Sequence, residues 1–190
     1  IDDVATAYHT AVVETKSFEK AEAVLHEAKA LYPNHKRLAF LMIALLLEQE
    51  KVDPAMAEIE KAMLQYGIDD GILSAGLEVR KRIGALQVDK SKCKRATLSL
   101  CMIVKNEEPH LAKCLMSVKP VVDEMIVVDT GSSDRSKDIA AALGARVFEY
   151  PWTNDFSEAR NYSLSQASGD WIFVLDADEV ISTLDHGLLQ

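Results

Sequence analysis

At 190 residues, with 48% apolar and 27% charged side chains, the chain has the composition of a folded protein and the length of one large domain or two small ones. A formal net charge of −9 argues against a nucleic-acid partner, because phosphate backbones demand clustered Lys and Arg, and it suits a protein that holds a cation against an anionic ligand. Cys93, Cys101 and Cys114 show no Cys-x-x-Cys spacing, so neither a disulfide framework nor a zinc knuckle is expected. They fit a reducing cytoplasm, with peripheral attachment to a membrane as the alternative. The longest apolar run, Leu38 to Leu47, is shorter than the about 20 residues a spanning helix needs, and no secretory signal is expected ahead of Asp2 and Asp3. The chain opens on Ile1 and stops at Gln190 just after a motif, from which a piece of a longer protein is expected.

From Asp2 to about Ile83 apolar residues recur at spacings of three and four, the period of amphipathic helices. Val4, Tyr8, Ala11 and Val12 share the face of a first helix. Phe18, Ala21, Leu25, Ala28 and Leu31 form the stripe of a second, stopped by Pro33-Asn34. Leu38 to Leu47 predicts a third helix, Met56, Ile59, Met63 and Tyr66 a fourth, and Leu73 to Ile83 a fifth. Phe18, Ala21, Leu25, Ala28 and Tyr32 recur as Val52, Ala55, Ile59, Ala62 and Tyr66, each 34 positions later, and Gly67 takes the place of Pro33. Ala5 and Val12 map onto Ala39 and Leu46 by the same offset. That period resembles the tetratricopeptide repeat, although the first helices lack its Trp-Leu-Gly-Tyr pattern. An ordinary antiparallel bundle also places Ala and Leu at these spacings. Either way, helix pairs must stack to bury their faces, and the repeats present fall short of the usual minimum of about three. Further repeats upstream, or capping by the second domain, are therefore expected.

Residues 84–96 (GALQVDKSKCKRA) carry Lys90, Lys92, Lys94 and Arg95 and read as a solvated linker rather than a phosphate-binding patch. From Thr97 the rhythm becomes strand then helix. Strands are predicted at Leu98 to Val104, Glu124 to Asp129, Ala145 to Glu149 and Trp171 to Leu175. Helices are predicted at Leu111 to Val118 after Pro109, at Ser136 to Leu143 ended by Gly144, and at Asp155 to Ala167 with Asn154 as N-cap. Such alternation implies a mostly parallel sheet between two helix layers. The expected organisation is thus an all-α helical-repeat domain over 1–83, a linker over 84–96, and a three-layer α/β domain over 97–190. In such sheets ligands bind beyond the carboxyl ends of the strands, where Lys105-Asn106, Asp129-Thr130-Gly131 and Asp176-Ala177-Asp178 fall.

The strongest local signal is Trp171 to Glu179 (WIFVLDADE). Residues i and i+2 of a strand face one side, so Asp176 and Asp178 can approach one cation together if the strand geometry persists. Hard oxygen ligands suit Mg2+ or Mn2+, completed by water and substrate phosphates. Taken alone, the same acids are more readily solvated turn residues. In Val127 to Asp134 (VVDTGSSD), Asp129 leaves the sheet at the same edge, where its carboxylate can accept from an imide N–H or a sugar hydroxyl. Gly131 permits a tight turn there, and Ser132 or Ser133 are ordinary helix caps. In Trp152 to Asn161 (WTNDFSEARN), Arg160 is either an exposed salt-bridging residue or a paired donor to a diphosphate.

With Ser99 to Glu108 (SLCMIVKNEE), these segments occur in the order found in family 2 glycosyltransferases of the GT-A fold, over about Thr97 to Ile181. The runs CMIVKNEE from Cys101, IVVDTGS from Ile126 and FSEARN from Phe156 are most similar to the subgroup resembling lipopolysaccharide-core glucosyltransferases of bacteria. The resemblance implies a nucleotide-diphospho-sugar donor, UDP-sugar favoured, and transfer with inversion. It implies that Val104 and Lys105 wall the nucleotide pocket, that Asp129 contacts the base, and that Arg160 lies near the diphosphate. It further implies that Asp178, with Asp176 nearer the ribose, holds Mn2+ or Mg2+. The family's general base lies well downstream of the metal motif. Only Val180 to Gln190 follows it here, and Asp185 and His186 read as surface residues, so no base is assigned. Donor binding without turnover is expected of these residues, the helical repeats being candidates to recruit a protein or glycan acceptor.

Two other classes remain open. A nucleotidyltransferase uses a similar sheet and Asp-bound metal, but favours a Gly-rich basic loop where Lys105-Asn106-Glu107-Glu108 stands. Neither G-x-x-x-x-G-K-[ST] nor G-x-G-x-x-G is present. A helical-repeat scaffold with a degenerate second domain is the non-enzymatic reading, against which the intact carboxylates weigh.

Overall fold

The computed structural model describes residues 7, 8, 10, 12, 16–88 and 95–189, and the chain divides between Ile83 and Gly84 into two units. Val4, Ala5 and Ala11 of the first predicted stripe, and Lys90, Lys92, Cys93 and Lys94 of the predicted linker, lie outside the described residues. In the first unit helix α1 spans Phe18–Leu31, α2 Lys36–Glu48, α3 Val52–Tyr66 and α4 Asp70–Ile83, and each packs against the next. The offset of 34 positions is visible in the burial. Ala21 and Leu25 of α1 and Ala55, Ile59 and Ala62 of α3 are buried, and α2 between them buries Leu38, Met42, Leu45 and Leu46. The small residues let neighbouring helices approach, and the large ones fill the space between them. Pro33 stops α1, and its carbonyl accepts from the Tyr66 hydroxyl at 2.9 Å, tying the equivalent end of α3 to it. Gly67, at φ 77°, caps α3 in a conformation that a side chain would resist. No described helix is long and apolar enough to cross a membrane.

The second unit begins in a loop in which Leu86 N–H donates to Gly144 O, so part of the predicted linker is fixed to it. Strand β1 (Leu98–Val104), helix α5 (Glu108–Val118), β2 (Glu124–Asp129), α6 (Ser136–Leu143), β3 (Arg146–Glu149), α7 (Phe156–Ser165), β4 (Trp171–Val174) and the short α8 (His186–Leu189) follow. The four strands are parallel in the order β3-β2-β1-β4. On one face Cys101, Ile126 and Val128 pack with Phe148 beneath Tyr162 and Leu164 of α7. Pleating turns Leu100, Met102, Met125 and Val127 to the other face, where they are buried with Leu111 and Leu115 of α5 and Ile139 and Leu143 of α6. The predicted layers are therefore present.

At the amino end of the strands Glu124, 1% exposed, accepts from Ser99 Oγ at 2.7 Å, from Ser168 Oγ at 2.9 Å and from Arg146 at 3.2 Å. Burial pushes this carboxyl up, but the three partners outweigh it and hold it below the usual carboxylate range. The network locks the approach to β4 onto β1. Gly169 fits so closely there that a Cβ would lie 2.4 Å from Ser99 Oγ.

Candidate functional site

The chain builds β1, runs outward through β2 and β3, then returns to lay β4 on the other side of β1. That reversal opens a crevice between β1 and β4 at their carboxyl ends. The register shows how. Cys101 pairs with Val174, the last residue of β4, so Met102, Ile103 and Val104 continue without a β4 partner. A cleft of about 280 Å³ occupies the gap. Ile103, Val104 and Lys105 form one wall, Asp176, Ala177 and Asp178 the other, and Arg160 of α7 reaches in between.

Here the strand geometry expected for the Asp-x-Asp motif does not persist. β4 ends at Val174, and Ala177 and Asp178 lie in a turn closed by Glu179 N–H on Asp176 O at 3.1 Å. Both carboxylates reach the cleft because Ala177, 5% exposed, turns inward between them, not because a strand alternates. The turn is tied down from α5: the Cys114 thiol donates to Asp176 O at 3.5 Å, and Ser117 Oγ accepts from Ile181 N–H at 3.1 Å. Burial pushes the Cys114 thiol up, and the nearby charges of Glu179, Asp178 and Asp176 add to it, to about 12. The turn is thus a concentration of negative charge.

Arg160 donates to Asp176 Oδ1 at 3.1 Å, with the two side chains 45% and 57% exposed. The arginine is thus a salt-bridging residue, and the bridge lies inside the cleft. Asp129 stands elsewhere. It is 2% exposed, does not line the cleft, and its carboxylate accepts from Gly131 N–H and Ser132 N–H, each at 2.9 Å. It holds the turn that brings Thr130 to the cleft, with Gly131 at φ 107°.

Ser132 and Ser133 do not cap the next helix. Ser132 Oγ accepts from Asn106 N–H at 2.9 Å, while Ser133 N–H donates to Asn106 Oδ1 at 2.8 Å. Ser136 and Asp134 accept from Glu107 and Glu108 N–H, and Glu108 receives Arg135 through both backbone and guanidinium. Arg135 thereby holds the Glu108 carboxyl below its usual range. These residues zip the loop after β1 to the loop after β2, fixing the wall that carries Val104 and Lys105. Asn154 is likewise not the cap of α7. Asp155 is, accepting from Ser157 N–H at 2.7 Å, and Asn154 sits at φ 64° with its Oδ1 accepting from Trp152 Nε1–H at 3.0 Å.

Thr130, Glu107, Trp152 and Phe156 also line the cleft, and sequence reasoning did not select them. The available signal was Trp152 and Phe156 themselves, two aromatics bracketing a polar turn. Asp185 is exposed, and His186 donates Nε2–H to Ser117 O at 2.8 Å, a structural contact.

Residues 99–185 match the profile of Glycosyl transferase family 2. This segment is a family 2 glycosyltransferase domain. Relatives of the chain include a TPR repeat-containing protein of Synechococcus elongatus, 56% identical over 84 residues, covering 44% of this chain and 21% of that protein. The SPbeta prophage-derived glycosyltransferase SunS of Bacillus subtilis is 36% identical over 138 residues, covering 65% of this chain and 33% of SunS. An uncharacterized glycosyltransferase of Rickettsia typhi is 40% identical over 85 residues, 45% of this chain and 29% of that protein. The chain thus spans between about a fifth and a third of the length of these relatives. Among solved structures, glucosyl-3-phosphoglycerate synthase of Mycobacterium tuberculosis in complex with uridine-diphosphate is 30% identical, covering 60% of this chain and 39% of that one, at a TM-score of 0.41.

In the glycosyltransferase segment, no group of three His, Cys, Asp or Glu side chains among the described residues is arranged to hold a metal alone. The donor set nevertheless fits a shared ion. Mg2+ and similar hard cations are commonly held by one or two carboxylates, with phosphate oxygens and water completing the shell. Asp176 and Asp178 are two exposed carboxylates at a negatively charged turn.

Proposed function

We propose that the chain is the donor-binding part of an inverting, metal-dependent glycosyltransferase whose donor is a nucleoside-diphosphate sugar, with a UDP-sugar favoured. The observation that carries this reading is the convergence of Asp176, Asp178 and Arg160 with the end of β1 in one crevice at the topological switch point. Asp178 would hold Mn2+ or Mg2+, with Asp176 beside it on the ribose side. Such an ion neutralises the charge that develops on a leaving diphosphate. Val104 and Lys105 form the nucleotide wall through their backbone, and Asp129 serves the base end by fixing the Thr130 turn.

Arg160 works by exchange. Its guanidinium donates to Asp176 in the unliganded chain, and a diphosphate offers paired acceptors that match its fork better than one exposed carboxylate oxygen. Donor binding thus draws Arg160 onto phosphate and leaves Asp176 free for the ion. Attack with inversion requires a base to deprotonate the acceptor hydroxyl. We assign none, since His186 is engaged with Ser117 and Asp185 is a solvent-facing acid. Donor binding without transfer is the expectation for these 190 residues, with the helical repeats presenting a protein or glycan acceptor to the longer protein in a cytoplasmic setting.

Calorimetric titration of UDP and UDP-glucose, with and without Mn2+, tests the reading on the wild type and on Asp178→Ala. Mn2+-dependent binding that the variant loses is expected. Preference for nucleoside triphosphates would replace the reading with nucleotidyl transfer. Absence of nucleotide binding would leave a helical-repeat scaffold, and sugar transfer by the chain itself would refute the claim that it stops at binding.

A further inference from the structure

Phe156 opens α7 with 64% of its surface exposed, in the same cleft as the carboxylates. An apolar ring left in water at a helix start is not a packing residue, yet it is held firmly. Trp152 meets it edge-to-face, ring centroids 4.7 Å apart and planes at 69°. Trp152 is anchored by its indole N–H on Asn154, and Thr153 Oγ1 donates to Glu158 at 2.6 Å. Asp155 caps the helix that carries the ring. A perpendicular pair always leaves at least one face of each ring uncovered by the other. The loop therefore presents a pre-set aromatic face at the cleft with the ordering entropy already lost.

Its position relative to charge selects the ligand part. Phe156 and Arg160 are four residues apart on α7, so they share one side of the helix, one turn of about 5.4 Å apart. A nucleoside diphosphate has the same order of parts: a flat aromatic base, a ribose spacer, then the anion. With the diphosphate on Arg160 and the Asp176–Asp178 turn, the base reaches back one turn.

We propose that Trp152 and Phe156 form the platform on which the nucleobase of the donor stacks. This rests on the donor-binding reading above and assigns two side chains to its base end. Stacking accepts any base with a π-face, so the platform supplies affinity, and selection among bases falls to the polar backbone around Thr130.

The test uses the full chain with Trp171→Phe as background. Trp171 is 68% exposed and pairs with Leu98 at the opposite end of β1, so its removal leaves Trp152 as the sole indole. Calorimetry with Mn2+ compares UDP, UDP-glucose and inorganic pyrophosphate, which lacks a base, on this protein and on its Phe156→Ala and Phe156→Tyr variants. Phe156→Ala should weaken UDP and UDP-glucose equally, by about 5- to 150-fold, leave pyrophosphate unchanged, and be rescued by Tyr. UDP should also quench Trp152 fluorescence. Equal UDP affinity in Phe156→Ala, with binding still lost in Asp178→Ala, would overturn the platform alone. A loss confined to UDP-glucose would overturn it by placing the sugar on the ring. A wild type that binds no nucleotide would overturn both the platform and the donor reading.

Discussion

Asp176 joins the fold to the proposed chemistry, and Asp176→Asn separates the two because it keeps the shape and removes the charge. In the folded chain the carboxylate meets Arg160 at 3.1 Å, with both side chains about half exposed. Exposed pairs of this kind contribute about 0–1 kcal/mol. The turn itself is closed by main-chain atoms, through Glu179 N–H on Asp176 O and the Cys114 thiol on the same oxygen. The variant should therefore lose at most about 1 kcal/mol of unfolding free energy in urea. Ligand binding should respond more strongly. Losing one charge-assisted contact to a bound ion costs about 1.5–3 kcal/mol, or about 10- to 150-fold in the Kd for UDP with Mn2+. Without metal the sign reverses, because Arg160 is released to the diphosphate and UDP should bind no worse than to the wild type. Calorimetry with and without Mn2+, beside urea unfolding of the same preparations, measures all three quantities. A destabilisation above about 2 kcal/mol, or an unchanged Mn2+-supported affinity, would refute the exchange.

Gly169→Ala should destabilise the second unit by about 1–3 kcal/mol in urea unfolding, because the new Cβ would press on Ser99 Oγ and on backbone at Ser99 and Thr97. The Glu124 carboxyl is held below its unfolded value of about 4.3, so its contribution is present above that value and is lost as pH falls through the lower folded one. Urea midpoints measured from pH 6 down to pH 3 should fall more steeply for the wild type than for Glu124→Gln. Burial pushes the Cys101 thiol up to about 11, and Cys114 lies at about 12, so in a Cys93→Ser variant neither should react with a disulfide reagent at pH 8 until the chain is unfolded.

The layers were legible in the sequence because each strand and helix had its own period. The runs at Leu98 to Val104 and Glu124 to Asp129 matched β1 and β2 to the residue, since both are buried on two faces and are apolar apart from Ser99 and the two end residues of β2. Edges were less legible. β4 stops at Val174 although Leu175 continues the apolar run and is itself buried. The Asp-x-Asp carboxylates were found for a reason that does not hold. A period of two and a tight turn both bring i and i+2 to one cleft, and the local sequence does not distinguish them. Asp129 illustrates the other limit. A carboxylate at a strand end is a ligand group or a loop fastener according to which N–H groups the following turn aims at it, and Gly131 and Ser132 aim theirs.

The serine and acid pairs of VVDTGSSD and KNEE look like chemistry in one dimension and act as architecture in three. Two loops that leave adjacent parallel strands have no sheet bonds left, and here side chains of each loop take up N–H groups of the other in place of water. Asn106, Ser132, Asp134, Ser136 and Glu108 supply the acceptors reciprocally. Across the cleft, Cys114 and Ser117 hold the acidic turn, and Asn154 and Asp155 hold the aromatic one. The backbone is thus fixed on three sides while Phe156 and Asp178 remain exposed, and Arg160, also exposed, is held only by its contact with Asp176. A binding site needs that division, because a moving backbone would dissipate the affinity that mobile side-chain tips can still recover. It follows that substitutions in the polar loops should weaken every ligand of the cleft together, whereas those at Arg160, Phe156 and Asp178 should each act on one part of the ligand.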